Sequence, residues 1–139
     1  MTIVPVKQSV RVLAALYYFT GIGFGLSNIA VLVYVATQGR VPIVLGVDLD
    51  GGGPFESLGY RSMAVLIGLF VIVCLLEVVA ARLLSRSGSR GGVLAIALLP
   101  VGAMFWFGFA LPLPWFLGFL KAIFLAASWR QLQGGFAFR

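Results

Sequence analysis

SMAVLIGLFVIVCLLEVVAARLL, running from Ser62 to Leu84, holds one acidic residue, Glu77, and no basic residue before Arg82. At ~1.5 Å of helical rise per residue, an apolar run of this length reaches across the ~30 Å hydrocarbon core of a bilayer. It reads as a transmembrane helix, and the rest of the chain agrees with it. Of 139 residues, 61% are hydrophobic and 10% charged, with a mean hydropathy of +1.09. A soluble domain of this size needs more polar surface to cover itself, so lipid is the expected solvent.

Outward from that stretch, three further apolar runs complete an all-α bundle in a single membrane domain spanning residues 1–139. The expected helices are 11–36, 62–84, 91–110 and 115–130. The first follows Lys7 and Arg11; it is longer than the apolar part of a signal peptide and lacks a small-x-small cleavage site, so a retained helix is expected. The third contains Pro100, which should kink it. Leu111-Pro112-Leu113-Pro114 reads as a tight reversal, and the fourth helix is the shortest. The long polar connection, from Thr37 to Tyr60, holds Gln38, Arg40, Asp48, Asp50 and Glu56, with Gly51-Gly52-Gly53-Pro54 as a turn. Its β-branched stretch from Val41 to Val47 suits a short extended piece. Asp48-Leu49-Asp50-Gly51 lacks the ligand spacing and terminal glutamate of an EF-hand and reads as a solvated turn.

The formal charge of +6 is distributed in a way that suits a membrane rather than a nucleic acid. Lys7, Arg11, Arg82, Arg86, Arg90, Arg130 and Arg139 fall at helix ends on one side. Arg40 and Arg61 fall on the other, with Asp48, Asp50 and Glu56. By the positive-inside rule both termini lie in the cytoplasm and the acidic loop faces outward across the cell membrane. Trp115 and Trp129, at opposite ends of the fourth helix, suit interfacial anchoring.

Several kinds of chemistry are closed to this chain alone. It has no histidine, and Cys74 is its single cysteine. Bis-histidine haem, His-ligated zinc or copper, histidine relays, internal disulfides and CxxC pairs are therefore excluded. No nucleophile–base pair, metal cluster or phosphate loop is visible. Catalysis by this chain alone is not expected, and any redox chemistry requires a bound organic cofactor or a partner subunit.

The residues that stand out are the two ionisable ones inside apolar runs, Glu77 and Lys121. A charge near the bilayer centre costs ~2.5–3.5 kcal/mol even on the lenient insertion scale, so it faces the interior and finds a partner. Counted at ~1.5 Å per residue, Glu77 lies ~8 Å above Arg82 and Lys121 ~13 Å above Arg130. Tyr17 and Tyr18 lie ~10 Å above Arg11 by the same rise. All four fit one polar layer, serving as a ligand or proton site or as a structural ion pair; snorkelling toward the interfaces is the simpler alternative. Gly21 and Gly25 form a GxxxG pair, and Gly118, Ala122 and Ala126 a small-xxx-small stripe, both expected as packing seams. Phe105-Trp106-Phe107-Gly108-Phe109 points all round its helix, so most of it is expected to face lipid or to pack.

Phe55-x-x-Leu58-Gly59, Ala64-x-Leu66-Ile67-Gly68 and Leu76-Glu77, preceded by Arg11, Phe19, Gly21 and Gly23 in the first helix, resemble the DoxX-like family of small four-helix membrane proteins. The likeness covers about the first two-thirds of the chain, with the glutamate its most specific element. The outer loop is longer than in that family, and Lys121 is not a family feature. The resemblance implies a small subunit of a quinone-linked membrane redox system, with a quinone, lipid or similar apolar ligand near Glu77. Alternatives are an accessory subunit of a larger membrane complex or a small transporter; the expected partners are the lipid bilayer and either further copies of the chain or a larger membrane complex. Exporters of the small multidrug-resistance type carry their key glutamate in the first helix, and this first helix has none.

Overall fold

The computed structural model describes residues 4–40, 42–44, 47–48, 53–87 and 89–134. Four long helices follow one another: α1 (Val4–Gln38), α2 (Gly59–Ser87), α3 (Ser89–Gly108) and α4 (Pro112–Gly134). Each contains a span long and apolar enough to cross a membrane, of 31, 28, 20 and 19 residues in turn. The two shorter spans match a ~30 Å hydrocarbon core at ~1.5 Å per residue, and the two longer ones exceed it.

α1, α2 and α4 outrun at both ends the limits set by the apolar pattern, because hydropathy marks where the side chains change and not where the backbone stops hydrogen-bonding. α3 starts and ends two residues early. α2 continues through Arg82 and Arg86, residues with good helical propensity. α4 begins at Pro112 rather than after a Pro–Pro reversal, since the first turn of a helix has no use for the missing N–H. α3 runs through Pro100. It ends at Gly108, where Leu111 N–H donates to the Trp106 carbonyl (3.0 Å) and Ala110 N–H to that of Phe107 (3.1 Å). Ala110, at φ 50°, occupies the left-handed position that normally selects glycine in this cap.

In the connection from α1 to α2, two short strands, β1 (Ile43–Val44) and β2 (Val47–Asp48), pair antiparallel with Ile43 opposite Asp48. The extended piece expected there is thus half of a small hairpin. Residues 49–52, at the centre of the expected acidic turn, lie outside the described residues, as do Arg139 and the side chain of Lys7. A short 3₁₀ turn (Glu56–Leu58) leads into α2. Ahead of it, Phe55 N–H donates to the Gly108 carbonyl (3.1 Å), and the Phe55 ring packs edge-on to Phe109 at 5.2 Å. Phe70 stacks on Phe105 at 5.2 Å beside them. The loop is therefore tied into the bundle mouth by an aromatic cluster, and Phe105, Trp106 and Phe109 are buried while Phe107 is exposed. Most of that aromatic run packs inward rather than facing lipid.

Neighbouring helices touch in a closed ring, α1–α2–α3–α4–α1. α1 and α3 form one diagonal of the bundle, α2 and α4 the other. Phe19, Leu26, Leu75, Phe116, Phe119 and Ile123 are exposed, an outward apolar surface that water would not tolerate at this extent and lipid does.

Candidate functional site

The inward face of α2 carries Phe70, Cys74, Glu77, Ala81 and Leu84, and that of α4 carries Leu117, Lys121, Leu125, Ser128 and Leu132. The spacing is that of one helical stripe, with one charge set in each. α1 presents Leu13, Tyr17 and Thr20 to the same interior. Glu77 and Lys121, 6% and 1% exposed, meet across the α2–α4 diagonal, Lys121 Nζ donating to Glu77 Oε1 at 2.6 Å.

The remaining valences are met locally. The Thr20 hydroxyl donates to Glu77 Oε2. Lys121 Nζ sits 4.2 Å from the centre of the Tyr17 ring and 6.0 Å from that of Trp106. The ring faces put negative quadrupole against the ammonium, worth ~2 kcal/mol where water is absent. The Tyr17 hydroxyl points elsewhere, donating to the Ala95 carbonyl of α3 at 2.7 Å. Two polar ties thus cross the bundle, one on each diagonal, with Tyr17 part of both. Tyr18 is only partly buried at the edge of the core, and Tyr17 alone stacks under the ammonium.

Small residues set the helix separations around this layer. A Cβ on Gly21 would lie 2.7 Å from the Cys74 carbonyl oxygen and 2.8 Å from Val78 Cγ2, so only glycine lets α1 approach α2 so closely beside the carboxylate. Gly25 is looser, with Cys74 Cβ at 3.3 Å. A Cβ on Gly118 would strike the Trp106 ring, so that glycine leaves room for the indole. Ala122 and Ala126 are exposed. The stripe on α4 turns outward after Gly118 and does not continue as a seam within the bundle, because the inner face is taken by Lys121, Leu125 and Ser128.

Two spaces flank the layer. One, of about 10 Å³, lies against Thr20, Cys74, Glu77, Trp106 and Pro114; it is about one water in size. The other is a groove of about 280 Å³ open along α3 and α4, lined by Leu99, Pro100, Ala103, Trp106, Trp115, Gly118, Phe119 and Ala122. Trp106 belongs to both and is the wall between them.

The chain matches no family model, no curated protein and no solved structure.

Thr20 and Trp106 are the participants that the sequence did not single out. Thr20 follows Tyr17 by three residues on the same helical face, which was the available signal. Trp106 was visible only as one of four neighbouring aromatics. Ser128, fully buried two turns beyond Lys121, has a hydroxyl with no hydrogen-bond partner among the described residues. No three His, Cys, Asp or Glu side chains converge among the described residues. What the site offers chemically is a carboxylate, an ammonium and a hydroxyl held in apolar surroundings one indole away from a lipid-accessible groove.

Proposed function

We propose that this chain is a multi-pass protein of the cell membrane that seats the apolar tail of a membrane-dissolved amphiphile, a lipid or a quinone, between α3 and α4. The observation that carries the reading is the shared wall: Trp106 lines both an apolar groove and the small cavity beside Glu77. An apolar cleft with a few converging polar groups is the usual form of a small-molecule site. Both termini lie in the cytoplasm on this reading, with Arg11, Arg82, Arg86, Arg90 and Arg130 at that surface. The resemblance of the first two helices to the DoxX-like family supports the same direction, a small subunit of a quinone-linked membrane system that needs a partner for chemistry.

The test is what the protein carries out of the membrane. Purified in mild detergent, the wild type should retain one amphiphile per chain by native mass spectrometry. Ala122→Phe, which fills the groove from its exposed side, should retain none. A bare wild type would overturn the reading.

A second reading, an accessory subunit docked on a larger complex, is favoured by one feature of α1. Gly23, Ser27 and Ala30 are exposed along one face, and nothing lies within 4 Å of where a Gly23 Cβ would be. Small residues of this kind let another helix approach closely. A large partner recovered in fixed stoichiometry would support it. Transport, the third alternative, would appear as substrate-dependent flux in liposomes.

A further inference from the structure

A tail moving from lipid into the α3–α4 groove gains little, because the acyl chains it leaves are as apolar as the groove it enters. Selection of a particular ligand must therefore come from its head. Among the described residues, the charged groups next to Trp106 are Lys121 and Glu77. Of the two, only the ammonium offers hydrogen-bond donors.

The barrier between groove and ammonium is one side chain, the buried indole of Trp106. Trp106 lies between Gly102 and Gly118, each placed so that a Cβ would strike the ring, and it meets Trp115 edge-on at 5.9 Å. The space already present beside Glu77, about 10 Å³, is too small for any head larger than a water. A head therefore reaches Lys121 only by moving Trp106 and replacing a partner that Lys121 already has.

Charge restricts which head can do this. An anion added to the intact Lys121–Glu77 pair leaves one uncompensated negative charge in a dry interior, which is strongly disfavoured. A neutral weak acid avoids that cost by transferring its proton. Resting on the groove reading above, we propose that the site binds a single-chain carboxylic acid by carboxylate exchange on Lys121. The acid enters protonated, its O–H bond breaks, and the proton passes to a Glu77 carboxyl oxygen. The new carboxylate then takes the place of Glu77 against Lys121 Nζ. One O–H bond breaks and one forms, and the layer stays neutral throughout. Thr20 remains beside the neutral Glu77 carboxyl as its hydrogen-bond partner. Tyr17 stays under the ammonium and Cys74 at the cavity wall; α3 contributes Trp106 and no titratable side chain to this layer.

The experiment compares palmitic acid with cetyl alcohol, equal in tail and different in head, binding to the full chain in nanodiscs. The wild type should prefer the acid, and Glu77→Gln, whose ammonium has no carboxylate until the acid arrives, should prefer it about ten-fold or more, the size expected of one charge-assisted hydrogen bond. Glu77→Gln, in which the neutral partner is already present, should bind the acid more tightly still. The double variant Glu77→Gln/Lys121→Met keeps the layer neutral and folded, and should bind both ligands equally. Infrared spectra with palmitic acid isotope-labelled at its carboxyl carbon should show the ligand ionised and a new protonated carboxyl in the wild type, absent in Glu77→Gln. Equal binding of acid and alcohol by the wild type, or a bound ligand that stays protonated, overturns the exchange while leaving the groove reading intact. Failure of both ligands to bind overturns both.

Discussion

Replacing Lys121 by methionine removes the ammonium while nearly preserving side-chain volume, and so isolates the diagonal ion pair. Glu77, 6% exposed, is left with Thr20 as its hydrogen-bond partner. Breaking a buried pair by deleting one member costs ~3–5 kcal/mol. Loss of the Tyr17 and Trp106 contacts with the ammonium adds to this, up to ~2 kcal/mol. A net cost of ~3–5 kcal/mol is expected. Glu77→Gln should cost less, ~1–3 kcal/mol, because the amide oxygen still accepts from Lys121 and the ring contacts persist. The double variant Glu77→Gln/Lys121→Met should return to within ~1 kcal/mol of the wild type, since a neutral layer has no stranded charge. Unfolding in mixed micelles with rising denaturing detergent, followed by helical circular dichroism, gives all four corners of the cycle. If the two single losses simply add in the double variant, Glu77 and Lys121 do not stabilise the bundle as a pair and the diagonal tie is wrong.

Other outcomes follow from neighbouring residues. Tyr17→Phe removes the hydroxyl that crosses to Ala95 but keeps the ring under Lys121, and should cost ~1 kcal/mol in the same unfolding assay. Ser128→Ala removes a buried hydroxyl without a partner among the described residues, and should be neutral or stabilising by up to ~1 kcal/mol. Ala110→Gly relieves a left-handed alanine at the α3 cap and should raise stability by ~1 kcal/mol. Gly21→Val should separate α1 from α2 beside Glu77, costing ~1–3 kcal/mol or more and slowing assembly of the folded bundle.

The fold was largely legible because lipid writes a coarse pattern: Ser62–Leu84 and its three companions announce themselves by length and composition alone. The Glu77–Lys121 pair was legible only as one of two outcomes, since each isolated charge could instead have snorkelled to an interface. Their depth, counted in residues from Arg82 and Arg130, placed them within reach. What the sequence withheld was azimuth. α1 and α4 are apolar around their whole circumference, so no periodicity shows which side of each faces inward. That is why Ala122 and Ala126 read as a seam although they are exposed, and why Tyr17 and Tyr18 could not be told apart. The role of Trp106 depends on Gly102 and Gly118 meeting one ring from two helices, a coincidence visible only in three dimensions. The Phe55 anchor was hidden likewise, because its partner is the backbone carbonyl of Gly108 more than fifty residues away.

The most direct test of a ligand in the α3–α4 groove is photo-crosslinking from Phe119, which lines it, against Phe116, equally exposed and outside the groove's lining. A photoreactive phenylalanine analogue at each position, activated in native membranes, captures whatever lies alongside. A groove that seats an amphiphile should yield one dominant small-molecule adduct at position 119 and a mixture reflecting bulk lipid at position 116. The same bulk-lipid mixture at both positions would contradict the account.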